Sequence, residues 1–196
     1  MPNKLCRVMA VAACVLSAIG AASSAQAAAP TCLGRPATIV GTSAAERIEG
    51  TDGDDVIVGR SGGDIIDARA GNDVVCGDGG GDTINGGPGN DLLDGARGQD
   101  FVTGEDGDDI LLGRRGPDLL NFGDAEDGDD SVVGGPGNDS LSAGVGADVL
   151  LGGQGDDRLT EGEVDAPTVD LFAAGLGTDT CAPGDEDVAL SCELPL

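Results

Sequence analysis

The chain has 196 residues, with 36 acidic against 10 basic, 36 Gly, three Phe and no His, Trp or Tyr. So few aromatics and so much glycine exclude a conventionally packed globular core, and a formal charge of -26 repels nucleic-acid phosphates and anionic membrane surfaces alike. Cations are the natural partners of such a chain.

Residues 1–27 read as an export signal. Lys4 and Arg7 precede an apolar, small-residue run from Val8 to Gly20, and "SAQAA" supplies the small residues before a cleavage point after Ala27. The apolar run is too short to span a bilayer. "VAAC" ending at Cys14 resembles a lipobox, but the run continues past Cys14 through "VLSAIG", where a lipoprotein would turn polar. Cleavage removes Lys4 and Arg7 and no acid, so the mature chain carries 36 acidic and 8 basic residues, a formal charge of -28. Residues 28–49 then form an N-terminal cap.

From Gly50 the chain aligns at a period of nine. GTDGDDVIV, GRSGGDIID, ARAGNDVVC, GDGGGDTIN, GGPGNDLLD, GARGQDFVT, GEDGDDILL and GRRGPDLLN run without a gap. After a three-residue insertion, 122–124, come AEDGDDSVV, GGPGNDSLS, AGVGADVLL and GGQGDDRLT, and these twelve units occupy 50–160. Weaker units flank them: GTSAAERIE from Gly41, and AGLGTDTCA from Ala174 after a thirteen-residue insertion, 161–173. That insertion reads as a loop or irregular coil, and 161–196 as a loop followed by a C-terminal cap.

Within the twelve units the fourth position is always Gly, the sixth always Asp and the eighth always Ile, Leu or Val. Such a period predicts a solenoid. Gly in the turn permits positive φ and close backbone approach, the eighth residue points one apolar side chain inward, and three residues suffice for a short strand. Two nonapeptides make one coil, with turns stacked on two opposite sides and two parallel sheets between them. The sixth-position Asp residues then form a row down each side at about 4.7 Å per coil, and carboxylates so placed need a cation between them. Calcium fits, because it takes six to eight oxygen ligands in tolerant geometry and the turns offer carboxylates and carbonyls with no His to favour zinc. Magnesium, with its tighter octahedron, fits less well.

These blocks resemble the RTX, or haemolysin-type, calcium-binding nonapeptide G-G-x-G-x-D-x-U-x, which GGPGNDLLD and GGQGDDRLT match at every fixed position. The resemblance implies an all-β, right-handed parallel β-roll whose turns ligate several calcium ions through backbone carbonyls and the sixth-position Asp. That role falls on Asp55, Asp64, Asp73, Asp82, Asp91, Asp100, Asp109, Asp118, Asp130, Asp139, Asp148 and Asp157. Gly63, Gly81, Gln99, Pro117 and Ala147 depart from the acid or amide common at the fifth position, and weaker sites are expected there. One ion between each pair of stacked turns gives about eight to ten ions. Twelve inward residues are too few to order so charged a chain alone, so a chain that folds on binding calcium is expected.

Four cysteines remain after cleavage, and export favours disulfides. About five coils, roughly 25 Å, separate Cys76 from Cys181, beyond disulfide reach. Cys32 therefore pairs with Cys76 and Cys181 with Cys192, stapling the two caps. The seventh position is apolar in eight of the twelve units (Val56, Ile65, Val74, Leu92, Phe101, Ile110, Leu119 and Val149), and alternation points it outward. With no His, no unpaired thiol, no Gly-x-Ser-x-Gly and no phosphate loop, the chain is not expected to be an enzyme. The reading is a secreted, extracellular calcium-binding structural or interaction module, without nucleic-acid partner or membrane insertion and with its protein or glycan partner open. The alternative is a toxin- or adhesin-related protein that binds a cell surface.

Overall fold

The computed structural model describes residues 29–121, 128–160, 170–182 and 188–192. The expected signal peptide lies outside the described residues. Positions seven to nine of each nonapeptide carry no Gly and are rich in apolar, β-favouring residues; they form three-residue strands such as Val56–Val58, Ile65–Asp67 and Val74–Cys76. The glycine- and aspartate-rich first six positions make the turns between them.

Strands alternate between two parallel sheets. One has nine strands, from Ile39–Val40 through Val56–Val58, Val74–Cys76, Leu92–Asp94, Ile110–Leu112, Ser131–Pro136, Val149–Gln154 and Leu171–Leu176 to Val188–Leu190. The other has eight, from Arg47–Glu49 through Ile65–Asp67, Thr83–Asn85, Phe101–Thr103, Leu119–Asn121, Ser140–Ser142 and Arg158–Thr160 to Thr180–Ala182. Ile57 pairs with Val75 and Val75 with Leu93, a step of 18 residues, so two nonapeptides make one coil. The fold is an all-β parallel β-roll, and the described residues contain no helix.

The step lengthens twice. Leu111 pairs with Val132 and Leu120 with Leu141, an offset of 21 that absorbs the expected three-residue insertion. Leu150 pairs with Phe172 and Leu159 with Cys181, an offset of 22. The second offset corrects the thirteen-residue insertion expected at 161–173. Only four residues are extra, and Asp170–Ala173 belong to a regular coil; 161–169 lie outside the described residues.

Eighth-position side chains form one continuous buried stripe between the sheets, from Ile48 and Ile57 through Leu93, Leu111 and Leu150 to Phe172 and Cys181. Side chains of that size are worth roughly 1.5 to 3 kcal/mol each on full burial. The seventh position faces out: Ile65, Phe101, Ile110 and Leu119 are exposed.

Both expected disulfides form, Cys32–Cys76 and Cys181–Cys192. They act in different places. Cys32 lies in a short antiparallel hairpin, Thr31–Cys32 with Arg35–Pro36, that packs on the outer face of the nine-stranded sheet over Val58, Val74 and Cys76. Cys181 is itself an eighth-position core residue, and Cys192 packs against the core beside Ala189. The first bond clamps a sheet face, whereas the second plugs the end of the core.

Candidate metal-binding turns

The sixth-position Asp side chains are buried in two rows, one on each turn edge of the roll. Asp55, Asp73, Asp91, Asp109, Asp130 and Asp148 line one edge, and Asp64, Asp82, Asp100, Asp118, Asp139 and Asp157 the other. The structure thus brings all twelve sequence-expected residues together in register.

Each row is a ladder. The backbone N–H of Asp55 donates to Oδ1 of Asp73 (2.7 Å), that of Asp73 to Asp91 (2.7 Å) and that of Asp91 to Asp109 (2.8 Å). On the other edge Asp64 donates to Asp82 (2.8 Å), Asp82 to Asp100 (2.9 Å) and Asp100 to Asp118 (2.9 Å). One carboxylate oxygen of each Asp thereby satisfies the coil before it.

The second oxygen is the informative one. Oδ2 of Asp64, Asp73, Asp82, Asp91, Asp100, Asp109, Asp118, Asp139 and Asp157 is buried without a hydrogen-bond partner. In native proteins buried polar atoms are nearly always paired, so nine orphans at equivalent positions point to an absent partner. The first-position glycine explains where they aim. A Cβ on Gly86 would lie 2.3 Å from Oδ2 of Asp91 and 2.8 Å from the carbonyl oxygen of Gly104 in the next coil. On Gly134 it would meet Asp139 Oδ2 at 2.4 Å and the Gly152 carbonyl at 2.7 Å. The same pair converges at Gly59, Gly77, Gly113 and Gly152. A carboxylate oxygen and a backbone carbonyl therefore share a cradle that a side chain would fill.

The electrostatics agree. Burial, with the neighbouring Asp residues adding to it, pushes the Asp109 carboxyl up to about 8 even though it accepts the Asp91 amide. Burial likewise raises Asp91, Asp118 and Asp130 to about 7 and Asp82, Asp139 and Asp148 to about 6. Asp55, at the first coil of its row, behaves oppositely. Its burial is outweighed by hydrogen bonds from the Thr51 amide and hydroxyl and the Thr38 hydroxyl, and its pKa is lowered. Interior carboxylates without such donors need a cation to stay ionised. Among the described residues no three His, Cys, Asp or Glu side chains surround one point, so an ion here would draw on backbone carbonyls as well as carboxylates. Hard oxygen donors without His or thiolate suit calcium.

Three ladder residues escape the sequence reading. Asp179 Oδ1 accepts the Asp157 amide (2.9 Å) and Asp170 Oδ1 the Asp148 amide (2.9 Å), extending both rows by one coil. Asp179 is the sixth residue of AGLGTDTCA, a register visible in the sequence. Asp170 is hidden because DAPTVDLFA has Thr168 where the turn Gly is expected. Glu46 heads the second row, its amide donating to Asp64 Oδ1 (2.9 Å).

The fifth position has a separate task. Its side chains are exposed and form an outer ladder of opposite direction: the Asn72 amide donates to Asp54 Oδ1 (2.9 Å), Asn90 to Asn72 (2.8 Å) and Asp129 to Asp108 (3.1 Å). At the second position Arg60, Asp78, Ala96 and Arg114 adopt left-handed φ of 71–80°. From there Arg114 reaches Asp94, with Nη2 2.9 Å from Oδ2 and Nε 3.1 Å from both oxygens.

The family model of the RTX calcium-binding nonapeptide repeat (4 copies) matches residues 40–75, 49–84, 77–111, 85–120 and 124–159, more than half of the chain. No curated protein matches it.

Proposed function

The chain belongs to the RTX calcium-binding nonapeptide repeat family, and on that premise we propose that it is an exported calcium-binding module that folds as its turns load several ions. The observation that carries this reading is the set of nine buried, unpartnered Asp Oδ2 atoms. Asp64, Asp73, Asp82, Asp91, Asp100, Asp109, Asp118, Asp139 and Asp157 are the first ligands proposed; Asp55, Asp130 and Asp148 join them in the same rows, and Asp170 and Asp179 extend those rows. First-position carbonyls complete the donor set.

Calcium would supply the positive charge that lets adjacent buried carboxylates ionise together. Metal binding would then be folding free energy, as in other small metal-dependent domains. Two disulfides and the expected signal at 1–27 support export to an oxidising compartment. The role is structural or interactive rather than catalytic, because the carboxylates are spent on backbone amides and on cradles too tight for a substrate.

The test is a calcium titration of residues 28–196 followed by far-ultraviolet circular dichroism, with magnesium as control. A cooperative gain of β signal with calcium alone is expected, with about nine ions retained after dialysis, one per orphaned oxygen. No spectral response, or two or fewer ions, would overturn the reading.

A further inference from the structure

Over four successive coils the two turn edges of the roll differ in the charge they mostly expose. One edge is built from the turns beginning at Gly59, Gly77, Gly95 and Gly113, and it bears Arg60, Arg97, Arg114 and Arg115, all exposed. That is four of the eight basic residues of the mature chain, on three of these four turns, the Gly77 turn carrying exposed Asp78 instead. Arg114 is committed to Asp94. Among the described residues Arg60, Arg97 and Arg115 have no carboxylate at ion-pair distance.

Their backbone placement is fixed by the roll. Arg97 and Arg115 are direct partners in a parallel bridge, the Arg115 amide donates to the Ala96 carbonyl (3.0 Å) and the Gly98 amide to the Arg115 carbonyl (2.9 Å). Two like-charged side chains therefore leave the backbone one coil step apart, about 4.8 Å, an arrangement that an anion lying across them would stabilise. Arg60, Ser61, Asp78, Gly79 and Arg97 line a groove of about 440 Å³ that continues this row.

The opposite edge, from the turns beginning at Gly50, Ala68, Gly86 and Gly104, exposes Asp52, Asp54, Asp106 and Asp108, and Asp129 one coil further on, while its Arg69 is paired with Glu49 (2.6 Å). Asp108 and Asp129 are joined by the outer amide ladder and so stand one coil apart, as Arg97 and Arg115 do. Both rows have the same repeat on the same scaffold. We propose that the arginine edge docks the acidic edge of a second copy of this chain, Arg97 and Arg115 against Asp106, Asp108 and Asp129, giving side-by-side assembly of rolls. The contact is heterologous, so it propagates instead of closing. It rests on the calcium reading in one respect, that calcium forms the roll which aligns the rows and lowers the net negative charge opposing approach.

Sedimentation of the full mature protein in calcium tests it, at salt of about 0.02 M and about 0.5 M, where screening lengths differ several-fold. Circular dichroism of each sample reports the folded state, so failure to fold with calcium counts against the calcium reading, and assembly is read on whichever folded state is present. The wild-type protein is expected to exceed the monomer mass at low salt and to revert at high salt. Arg97→Ala/Arg115→Ala should be monomeric, as should Asp106→Asn/Asp108→Asn/Asp129→Asn, in which the amide-accepting oxygens are kept. Mixed one to one, the two variants retain one good edge each and should form dimers and nothing larger. A wild-type monomer at low salt, variants that assemble like wild type, or a mixture that stays monomeric would each overturn the proposal. So would a wild-type monomer that instead binds an acidic polysaccharide through Arg97 and Arg115.

Discussion

Asp109 places two demands on one side chain. Its Oδ1 accepts the Asp91 amide, a bond an amide side chain could accept equally well, while its Oδ2 is buried beside the Cα of Gly104 with nothing to bind. Asp109→Asn therefore separates structure from ligation. The ladder bond survives, the buried charge goes, and the calcium ligand is lost. Thermal melting in chelator at pH 5, where protonation favours the metal-free roll, should show no loss of stability, whereas the calcium midpoint followed by circular dichroism at pH 7 should rise several-fold. A purely structural Asp would instead weaken both states. The fourth-position glycines carry a different constraint. Gly80 sits at φ +150°, and a Cβ there would lie 1.5 Å from the Gly62 carbonyl oxygen, a backbone atom that cannot move without displacing the neighbouring coil. Gly80→Ala is expected to cost on the order of 3 kcal/mol or more. Gly79→Ala on the same turn meets its nearest atom at 3.8 Å and should melt close to wild type in calcium.

At the level of elements, the roll was legible because its non-local contacts recur at a fixed separation. Each strand pairs 18 residues away, so a nonapeptide read locally already contains its partner's position, and the inward stripe and both Asp rows followed from position eight and position six. Three features did not follow. The coil around Asp170 keeps only the Asp and an apolar eighth residue, Phe172, and so escapes a pattern anchored on glycine. Units without an acid or amide at the fifth position read as weaker sites, yet fifth-position side chains accept backbone amides on the outside of the turn, a choice of direction that composition does not carry. The N-terminal hairpin reads as a cap over the end of the core, yet outward-facing Val58, Val74 and Cys76 offered it an apolar sheet face instead. That placement makes the two disulfides separable. Cys32→Ser/Cys76→Ser opens a loop of 44 residues and Cys181→Ser/Cys192→Ser one of 11, worth about 4 and about 3 kcal/mol by chain entropy. Hydrogen exchange in calcium should show the first pair loosening the hairpin and the sheet around Val58 and Val74, and the second loosening the core end at Leu159 and Phe172. Uniform loss along the roll in either variant would contradict the nearest-neighbour behaviour expected of a solenoid.

For the molecule as a whole, the buried Asp rows set how protons and calcium compete. In the metal-free roll burial holds Asp82, Asp139 and Asp148 at about 6, Asp91, Asp118 and Asp130 at about 7 and Asp109 at about 8, against 3.8 for the unperturbed side chain. Between those limits the folded chain binds more protons than the unfolded one, so stability falls as pH rises from about 4 to about 8. Asp55, with its pKa lowered, and exposed Glu49, lowered by Arg47 and Arg69 beside it, act against this trend. Without metal, acidification from pH 8 to pH 5 should therefore raise the β signal, with little further gain below the unperturbed carboxylate value. Calcium reverses the slope. A loaded turn needs the ionised carboxylate, so protons compete with the ion: the calcium midpoint should rise as pH falls from 7 toward 5, where protons favour the metal-free roll, and loading near pH 5 should release protons measurable in weakly buffered solution. Circular dichroism against pH, with chelator and with saturating calcium, would give curves of opposite sign. Parallel curves would mean that these carboxylates do not exchange a proton for the metal.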